Sequence, residues 1–366
     1  MRIVIASSEA VPFSKTGGLA DVSSALAKAL RQLGHDVWLI IPHYPQVKSG
    51  GALPDIQQTG RRIEVPVGQQ RRTGMLLKSQ LPDSDVPVLL VDQADYFHRP
   101  ELYRESGVDY KDNCARFVFF CRAVMEAARC LQLRPDIVHG NDWQSGLIPA
   151  LLSIEYRDAV GFERTKSVFT IHNMAFQGQF WHWDMLLTGL SWKYFNWKQM
   201  EFYDHLNLLK TGIVFSDMVT TVSPTYAQEI QTSEFGCGLE GVLASRSDSL
   251  VGILNGVDTD IWNPRTDKNL VENYSADSPA KGKAACKAHL QEKVGLPVRR
   301  DVPLFGMISR LTDQKGFDLI CEAAGEFLKF DMQLCVLGSG EAIFEKRMKD
   351  LAREHPERVA LTIGFD

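Results

Sequence analysis

The 366 residues carry 45% hydrophobic and 23% charged side chains and a formal net charge of −5. This length suits two domains with full cores, and the charge provides no basic surface for nucleic acid or for an anionic membrane. Seven scattered cysteines without a C-x-x-C pair, and no apolar run of membrane-spanning length, predict free thiols in a soluble protein of a reducing compartment, expected to be the cytoplasm.

The first turn of the chain combines a strand, a glycine loop and a helix. The apolar run 2–6 is followed by Lys15 and the pair Gly17 and Gly18, and apolar residues then recur at helical spacing up to Gly34. Adjacent glycines let a ligand approach the backbone, a helix N-terminus binds anions, and a lysine adds positive charge. A tight turn beside a solvated lysine has the same pattern, so these residues alone leave both interpretations open.

Apolar strands that alternate with helices predict a parallel sheet covered on both faces up to about residue 258. Residues 49–86 differ, because their short alternating stretches predict antiparallel additions at a sheet edge. Asp112 is expected to cap the helix after it, and Pro224 to open another. Further buried strands are predicted at 35–42, 87–92, 136–139, 167–171, 218–222 and 250–254.

Polar side chains cluster at the predicted carboxyl ends of these strands, where open α/β sheets bind ligands. Asp142 follows one strand, His172 and Asn173 follow the next, and Asn255 follows the last strand of this region. This convergence indicates a site. A single histidine is more often structural than functional, so position alone does not give His172 a role.

A second unit begins after the polar stretch 263–283, which contains proline and glycine and indicates a link. A helix is predicted from about 284 to 294, with strands near 302–308, 333–340 and 359–363. Arg310 and Lys315 lie between the first of these strands and the next helix. They form either a cationic clamp on a diphosphate or an exposed pair that binds carboxylates.

Two further patterns are less specific. Residues 180–197 hold four of the seven tryptophans, whose rings either stack on sugars or form a satellite core. The stretches 83–85 and 258–260 each read Asp-x-Asp, a metal motif in a different transferase fold. A match of three residues is weak, and no metal site is expected.

The string from Ser8 to Val22 closely resembles the N-terminal signature of bacterial glycogen synthases and plastid starch synthases. Three more segments resemble the same family: the Asn-Asp-Trp motif at 141–143, the histidine motif at 170–178, and the stretch 309–316. The last of these matches the sugar-nucleotide-binding turn of two-domain GT-B glycosyltransferases. The resemblance extends through essentially all 366 residues.

The resemblance implies an α/β protein of GT-B architecture, with two Rossmann-like domains that face a cleft. Residues 1–258 are the acceptor-side domain with the glycine loop, and residues 259–366 are a partial nucleotide-sugar domain. The implied reaction is retaining transfer of glucose from ADP-glucose to the non-reducing end of an α-1,4-glucan, glycogen or starch. No cofactor, nucleic acid, membrane or protein partner is implied, and the location is the cytoplasm, or the plastid for a plant-type source.

The same resemblance assigns roles to residues. His172 and Asp142 are the candidates beside the transferred glucose, and Glu9 and Asp21 belong to the acceptor side. The residues expected to bind ADP-glucose are Lys15, Gly17, Gly18, Asn173, Asn255, Arg310 and Lys315.

One departure from the family pattern affects activity. Family members continue into a Glu-x-x-Gly-Leu region that carries an essential glutamate, and residues 1–366 do not include it. We therefore expect negligible synthase activity from these residues alone, and a less stable segment 284–366. The alternatives are a retaining GT-B enzyme with a different nucleotide sugar, a phosphorylase, or a non-catalytic remnant that binds glucan or nucleotide.

Overall fold

The computed structural model describes residues 1–45, 54–105 and 107–364, so residues 49–53 of the predicted edge stretch lie outside the described part. Contacts between Cα atoms divide the chain into two compact units, Met1–Val257 and Asp258–Asp366. Within the described ranges no helix is long and apolar enough to cross a membrane.

A mostly parallel sheet forms the centre of the first unit. The strands of this unit are β1 (Arg2–Ala6), β2 (Asp36–Pro42), β3 (Gln57–Val67), β4 (Gln70–Gln80), β5 (Pro87–Asp92), β6 (Arg104–Glu105), β7 (Val108–Asp109), β8 (Ile137–Asn141), β9 (Lys166–Ile171), β10 (Gln179–Trp181), β11 (Glu201–Phe202), β12 (His205–Asn207), β13 (Met218–Thr221) and β14 (Leu250–Gly252). In the described part, nine of them form one sheet in the order β14-β13-β9-β8-β1-β2-β5-β4-β3. β3 and β4 pair antiparallel at its edge, as predicted.

Helices cover both faces of this sheet. They are α1 (Gly18–Gln32), α2 (Ala94–Phe97), α3 (Asn113–Cys130), α4 (Leu147–Leu151), α5 (Met185–Thr188), α6 (Leu208–Phe215), α7 (Pro224–Glu229) and α8 (Glu240–Ala244). Side chains alternate across a strand, so Ile3 and Ile5 of β1 enter one core cluster while Val4 and Ala6 enter the other. The predicted doubly covered parallel sheet is confirmed.

Two local predictions have different outcomes. Pro224 opens α7 as predicted, and the hydroxyl of Ser223 accepts the backbone N–H of Tyr226. Asp112 stands at the N-cap position of α3, but its side chain makes no capping hydrogen bond. Its carboxylate instead receives two hydrogen bonds from Arg99, at 2.6 and 2.8 Å, so the capping prediction is wrong. A charged fork offers the carboxylate stronger hydrogen bonds than a backbone amide does.

The second unit is a smaller parallel α/β assembly. Its elements are α9 (Pro279–Lys293), β15 (Leu304–Ile308), α10 (Phe317–Phe327), β16 (Gln333–Gly338), α11 (Ala342–Glu354) and β17 (Val359–Ile363), and the described strands pair in the order β15-β16-β17. Phe317 and Val336 are fully buried in its core. Phe305 and Ile308 of β15 are 54% and 81% exposed. The low stability of this unit stays a prediction.

Candidate active site

The loop between β1 and α1 is organised by one buried carboxylate. Glu9 is 3% exposed, and its Oε2 accepts the backbone N–H of Thr16 at 2.5 Å and that of Gly17 at 3.3 Å. Its Oε1 accepts the hydroxyls of Thr16 and Tyr103, each at 2.6 Å. Burial raises the pKa of Glu9, and these donors oppose that shift. Glu9 therefore fixes the conformation of the glycine turn.

The two glycines of this turn are not required by the chain's own geometry. Gly17 is the N-cap residue of α1 with φ −161° and ψ −167°, an extended backbone that any residue adopts, and Gly18 is the first helical residue. No atom of the described chain beyond the immediate neighbours lies within 4 Å of a Cβ built at either position. The space beside the start of α1 is therefore open to a ligand. This geometry favours the anion-binding interpretation over that of a tight turn.

Two predicted site residues pair with each other beside this turn. Lys15 Nζ donates to Asp21 Oδ1 at 2.9 Å, with the two side chains 28% and 45% exposed. Asp21 lies in the first turn of α1, where the helix dipole also favours a negative charge. A phosphate that approaches the turn would compete with Asp21 for the Lys15 ammonium.

A second group lies at the carboxyl ends of β1, β8 and β9, which are neighbours in the sheet. Asn141, the last residue of β8, donates from Nδ2 to the carbonyl oxygen of Ala6 at 3.2 Å. Its Oδ1 then faces His172, whose Nε2 is 3.0 Å away. Because an amide oxygen only accepts, His172 Nε2 carries the proton and Nδ1 keeps the lone pair in the neutral ring. Asn141 thus fixes both the orientation and the tautomer of His172.

Burial controls the protonation of this group. It lowers the pKa of His172 to about 4 and that of His139 to about 4, so both imidazoles are neutral near pH 7. Asp142 Oδ1 accepts the backbone N–H of His172 at 2.7 Å. Burial raises the pKa of Asp142 to about 7, although backbone hydrogen bonds from His172 and Asn173 oppose the shift. A carboxyl group with this pKa can hold or release a proton near neutrality.

Asp142 also has a strained backbone. Its φ of 55° and ψ of 179° fall in a region that is almost exclusive to glycine. Its N–H donates to the Thr170 carbonyl at 2.9 Å, and its carbonyl accepts the N–H of Ser145 at 3.0 Å, so both neighbouring segments hold the conformation. Such strain costs about 1–3 kcal/mol and concentrates at active sites and ligand clamps. The strain therefore makes the end of β8 a candidate functional position.

Asn173 and Asn255 occupy different surroundings. The Oδ1 of Asn173 accepts the N–H of Ala175 at 2.9 Å and shapes the loop directly after His172. Asn255 is exposed in the irregular stretch after β14. β13 separates β14 from β9, so Asn255 lies at the same edge of the sheet as His172 but further along it.

The predicted cationic turn of the second unit lies between β15 and α10. Arg310 is half-buried and Lys315 is exposed in a 3-10 turn. The backbone of this turn is closed by a hydrogen bond from Gly316 N–H to the Asp313 carbonyl at 2.7 Å. Gly316 has φ 77°, a left-handed conformation for which glycine is the ordinary residue. Both cations therefore lie at the carboxyl edge of this unit's sheet, just before a helix.

In each of the two Asp-x-Asp stretches, one carboxylate already accepts a hydrogen bond from the protein itself. Asp85 accepts from Arg31 Nη2 at 2.7 Å, and Asp258 Oδ1 accepts the backbone N–H of Asp260 at 3.1 Å. A different group of side chains offers metal ligands. Among the described residues this group consists of His43, Asp92 and His98, at the carboxyl ends of β2 and β5 and just after α2.

The tryptophan-rich segment is exposed. Trp181, Trp183, Trp192 and Trp197 are 62%, 48%, 41% and 73% exposed, so their interpretation as a satellite core is wrong. The rings of Trp183 and Trp192 lie with their centroids 5.3 Å apart. Short strands and 3-10 turns stabilised by neighbouring loops carry these side chains outward, which the composition of the segment does not reveal. The sugar-stacking interpretation stays open.

Sequence reasoning missed two residues that organise these groups. Asn141 orients His172, and Tyr103 holds Glu9 across 94 positions of the chain. The position of Asn141 at a strand end, beside the predicted Asp142, was an available signal. No local pattern points to Tyr103, because its partner is brought to it only by the fold.

Together these features define a class of protein. A parallel α/β sheet with an open helix N-terminus after its first strand, and polar side chains at adjacent strand ends, is typical of proteins that bind ligands at the carboxyl edge of the sheet. The smaller unit repeats the arrangement with a cationic turn.

Comparison with known proteins narrows this class. A family model described as the starch synthase catalytic domain matches residues 2–245. The glycogen synthase of Rhodopirellula baltica is 45% identical over 376 residues, an alignment that covers 100% of this chain and 74% of the relative. Glycogen synthase 2 of Geobacter sulfurreducens is 43% identical over 369 residues, with 100% and 75% covered.

A solved structure agrees. The catalytic domain of starch synthase IV from Arabidopsis thaliana, bound to ADP and acarbose, matches with a TM-score of 0.90 and 31% identity over 100% of this chain and 74% of that chain. The chain belongs to the glycogen and starch synthase family. The predicted family, the glycosyltransferase class and the GT-B type of α/β fold are confirmed.

Proposed function

We propose that this chain binds ADP-glucose and transfers its glucose, with retention, to the non-reducing end of an α-1,4-glucan. The observation that carries the proposal is the open space around Gly17 and Gly18 at the start of α1, beside the Lys15 ammonium. Helix N–H groups and a lysine stabilise the negative charge that develops on a departing diphosphate. Family membership supplies the nucleotide and the acceptor as the candidates to test.

His172 is proposed to position the sugar. Its ring is neutral near pH 7, and the hydrogen bond to Asn141 leaves Nδ1 with a lone pair. That nitrogen can accept a hydrogen bond from a sugar hydroxyl, which a protonated ring could not do. Asp142, whose carboxyl group lies beside the His172 backbone, contributes a second polar group to the same strand end.

The remaining roles follow the chemistry of each turn. We assign Arg310 and Lys315 to the phosphates of the sugar nucleotide, because guanidinium and ammonium groups before a helix bind phosphate strongly. Glu9 is proposed to act on the acceptor side only through the turn that it holds. Asn173 and Asn255 are proposed to contact the donor.

The nucleotide site is tested with Lys15→Ala. Loss of a charge-assisted hydrogen bond should weaken ADP binding, measured by calorimetry, by about 2 kcal/mol. Lys28→Ala, which removes a lysine within α1, is the matched control and should bind ADP normally. Wild-type ADP affinity in Lys15→Ala would contradict the proposal. Competition between ADP and UDP separates it from a transferase with a different nucleotide sugar.

The sugar-positioning role is tested with His172→Ala. Glucose incorporation into glycogen should fall by at least about tenfold while ADP affinity changes little, because the lost contact is to the sugar. Turnover is measured on a chimaera that adds the C-terminal region of a glycogen synthase relative, because residues 1–366 alone are expected to have negligible activity, and ADP affinity is measured on both proteins. The role is wrong if ADP affinity falls and turnover persists.

The redox state of the cysteines bears on location. All seven cysteines are free thiols in the structure. Free thiols in this number are typical of a reducing compartment, so we propose that the reaction takes place in the cytoplasm.

A further inference from the structure

Three side chains with metal-binding atoms converge at the carboxyl edge of the first sheet, outside the groups assigned to sugar and nucleotide. His43 directly follows β2, Asp92 ends β5, and His98 follows α2. β2 and β5 are parallel neighbours, and the His43 N–H donates to the Val91 carbonyl at 3.0 Å. The pairing of the two strands thus places His43 and Asp92 side by side.

The ligand atoms are already close together. Asp92 Oδ1 lies 2.6 Å from His43 Nδ1 and 2.6 Å from His98 Nε2, and all three atoms lie within 4.8 Å of one another. The two rings stand perpendicular, at 88°, with their centroids 5.7 Å apart. Around a tetrahedral ion at about 2.0–2.1 Å from each ligand, the ligand atoms are roughly 3.3 Å apart. Small side-chain rotations therefore convert the hydrogen-bonded group into a coordination site.

The backbone that carries these ligands is held in place by its surroundings. Tyr44, next to His43, is buried against Phe97, next to His98, with ring centroids 5.6 Å apart. On the other side of His98, Arg99 pairs with Asp112 at 2.6 Å. Ligands on a fixed backbone lose little conformational entropy when an ion binds.

The donor set selects the kind of ion. Two imidazole nitrogens and one carboxylate oxygen suit a borderline transition ion, whereas Mg²⁺ and Ca²⁺ prefer oxygen ligands alone. The three side chains are 17%, 23% and 31% exposed, so water can reach the group and complete the coordination. We propose that His43, Asp92 and His98 form a Zn²⁺ site with a water molecule in the fourth position.

Such an ion would join three separate segments of the first unit: the ends of β2 and β5 and the segment after α2. That last segment leads to Tyr103, whose hydroxyl donates to Glu9 in the glycine turn at 2.6 Å. Because the ion would link these segments, occupancy of the site should raise the thermal stability of the first unit. It does not depend on the proposed transfer reaction.

The test uses the full 366-residue chain after treatment with a chelator. Calorimetric titration with Zn²⁺ should saturate at one equivalent, Co²⁺ should give the visible absorption of a tetrahedral site, and excess Mg²⁺ should not compete. His98→Gln and Asp92→Asn should each weaken Zn²⁺ binding by about 100-fold or more, because ligand loss exceeds the effect of losing an outer partner. The melting temperature should rise with Zn²⁺ in the wild type and not in these variants.

Two matched controls separate this site from other ligands. His205→Gln removes an exposed histidine elsewhere in the unit, and Cys237→Ser removes an exposed thiol. Both should bind one equivalent of Zn²⁺ as the wild type does. Unchanged Zn²⁺ affinity in His98→Gln, or loss of binding in Cys237→Ser alone, would overturn the proposal, as would a wild-type chain that binds no Zn²⁺. If His43→Gln fails to fold, His98→Gln, at the most exposed of the three ligands, still decides the question.

Discussion

The two cationic turns of this chain each place a lysine and a glycine before a helix, but their glycines have different structural roles. In the first unit, Gly17 is extended and meets no neighbour, and the buried carboxylate of Glu9 holds the turn. In the second unit, Gly316 needs its left-handed φ of 77°. Gly338 lies so close to the turn that a Cβ there would be 1.9 Å from the Ser309 carbonyl oxygen. The glycines of the first turn therefore leave open space beside the helix, whereas those of the second turn are required by the chain's own backbone and packing.

The largest effect is expected from a substitution that disrupts the second turn. Gly338→Ala places a methyl group against the Ser309 carbonyl and 2.8 Å from Leu311 Cδ1. The Ser309 backbone cannot yield freely, because its N–H donates to Leu337. We expect a loss of about 3 kcal/mol or more in the free energy of unfolding of the second unit, measured by hydrogen exchange in β16. Gly306→Ala, where a Cβ meets nothing within 4 Å, is the control. Equal stability of the two variants would contradict the packing argument.

The next largest effect is expected from acid, which should lower the stability of the first unit at a higher pH than that of the second. The folded pKa of about 4 for His172 and His139 lies below the ordinary histidine value of 6.5, so the unfolded chain binds more protons between these pH values. The stability of the first unit should therefore fall by about 2 kcal/mol or more as pH drops from 6.5 to 4. Asp142, with a pKa raised to about 7 from 3.8, works in the opposite direction over this range, but one group offsets only part of two.

The stability of the second unit should fall only at a lower pH. Arg299 lowers the pKa of Asp331 below the ordinary aspartate value of 3.8, so the stability from this pair is present above that pH and is lost as the pH falls further. Thermal unfolding followed by tryptophan fluorescence and hydrogen exchange measures both units in one sample. His172→Gln should flatten the pH dependence of the first unit. A first unit that is equally stable at pH 4 and 6.5 would disagree with neutral buried histidines.

A smaller effect sharpens the account of the first turn. Gly18→Ala should leave folding intact, or stabilise it by up to about 1 kcal/mol, because alanine favours the helix that starts there. ADP affinity should nevertheless fall at least tenfold, about 1.4 kcal/mol, since a methyl group would occupy the space left for the ligand. Calorimetry with ADP and denaturant unfolding on one preparation give both numbers. Normal ADP affinity in Gly18→Ala would contradict a ligand-binding role for the turn and would favour a purely structural one.

The smallest effect concerns the ion pair beside that turn. Asp21→Asn removes the partner of Lys15, but both side chains are substantially exposed. The free energy of unfolding should change by less than about 1 kcal/mol. Chemical denaturation at low and high salt tests this expectation. A loss well above that figure would mean that the pair, and not Glu9, holds the turn.

Local patterns in the sequence predicted most of the framework. Continuous apolar runs indicated β1 and β2, and the short alternating stretches after residue 49 indicated the antiparallel edge. Residues that depend on distant partners were not predictable in this way. Asp112 looked like a helix cap until Arg99 was brought beside it, and α2 has only four residues, too few to show a helical period in the sequence.

The site shows the same limit. Its strand-end residues, such as His172 and Asp142, were found because parallel strands end at one edge. The tautomer of His172 depends on Asn141 and Ala6, and the strain at Asp142 is a property of its backbone, so neither appears in the sequence. The pKa values depend on burial, which the residue types alone do not determine.

A buried lysine holds part of the tryptophan-rich segment 180–197. Lys210 is 4% exposed, and its ammonium donates to the carbonyls of Trp197 and Glu201, each at 2.6 Å. An amine-reactive reagent therefore reaches Lys210 only when these carbonyls move away, whereas the exposed Lys198 reacts at once. The labelling rate of Lys210 relative to Lys198 therefore measures how often the tryptophan-rich segment opens. A carbohydrate that binds the exposed tryptophans would lower the labelling rate of Lys210 without contacting the lysine itself.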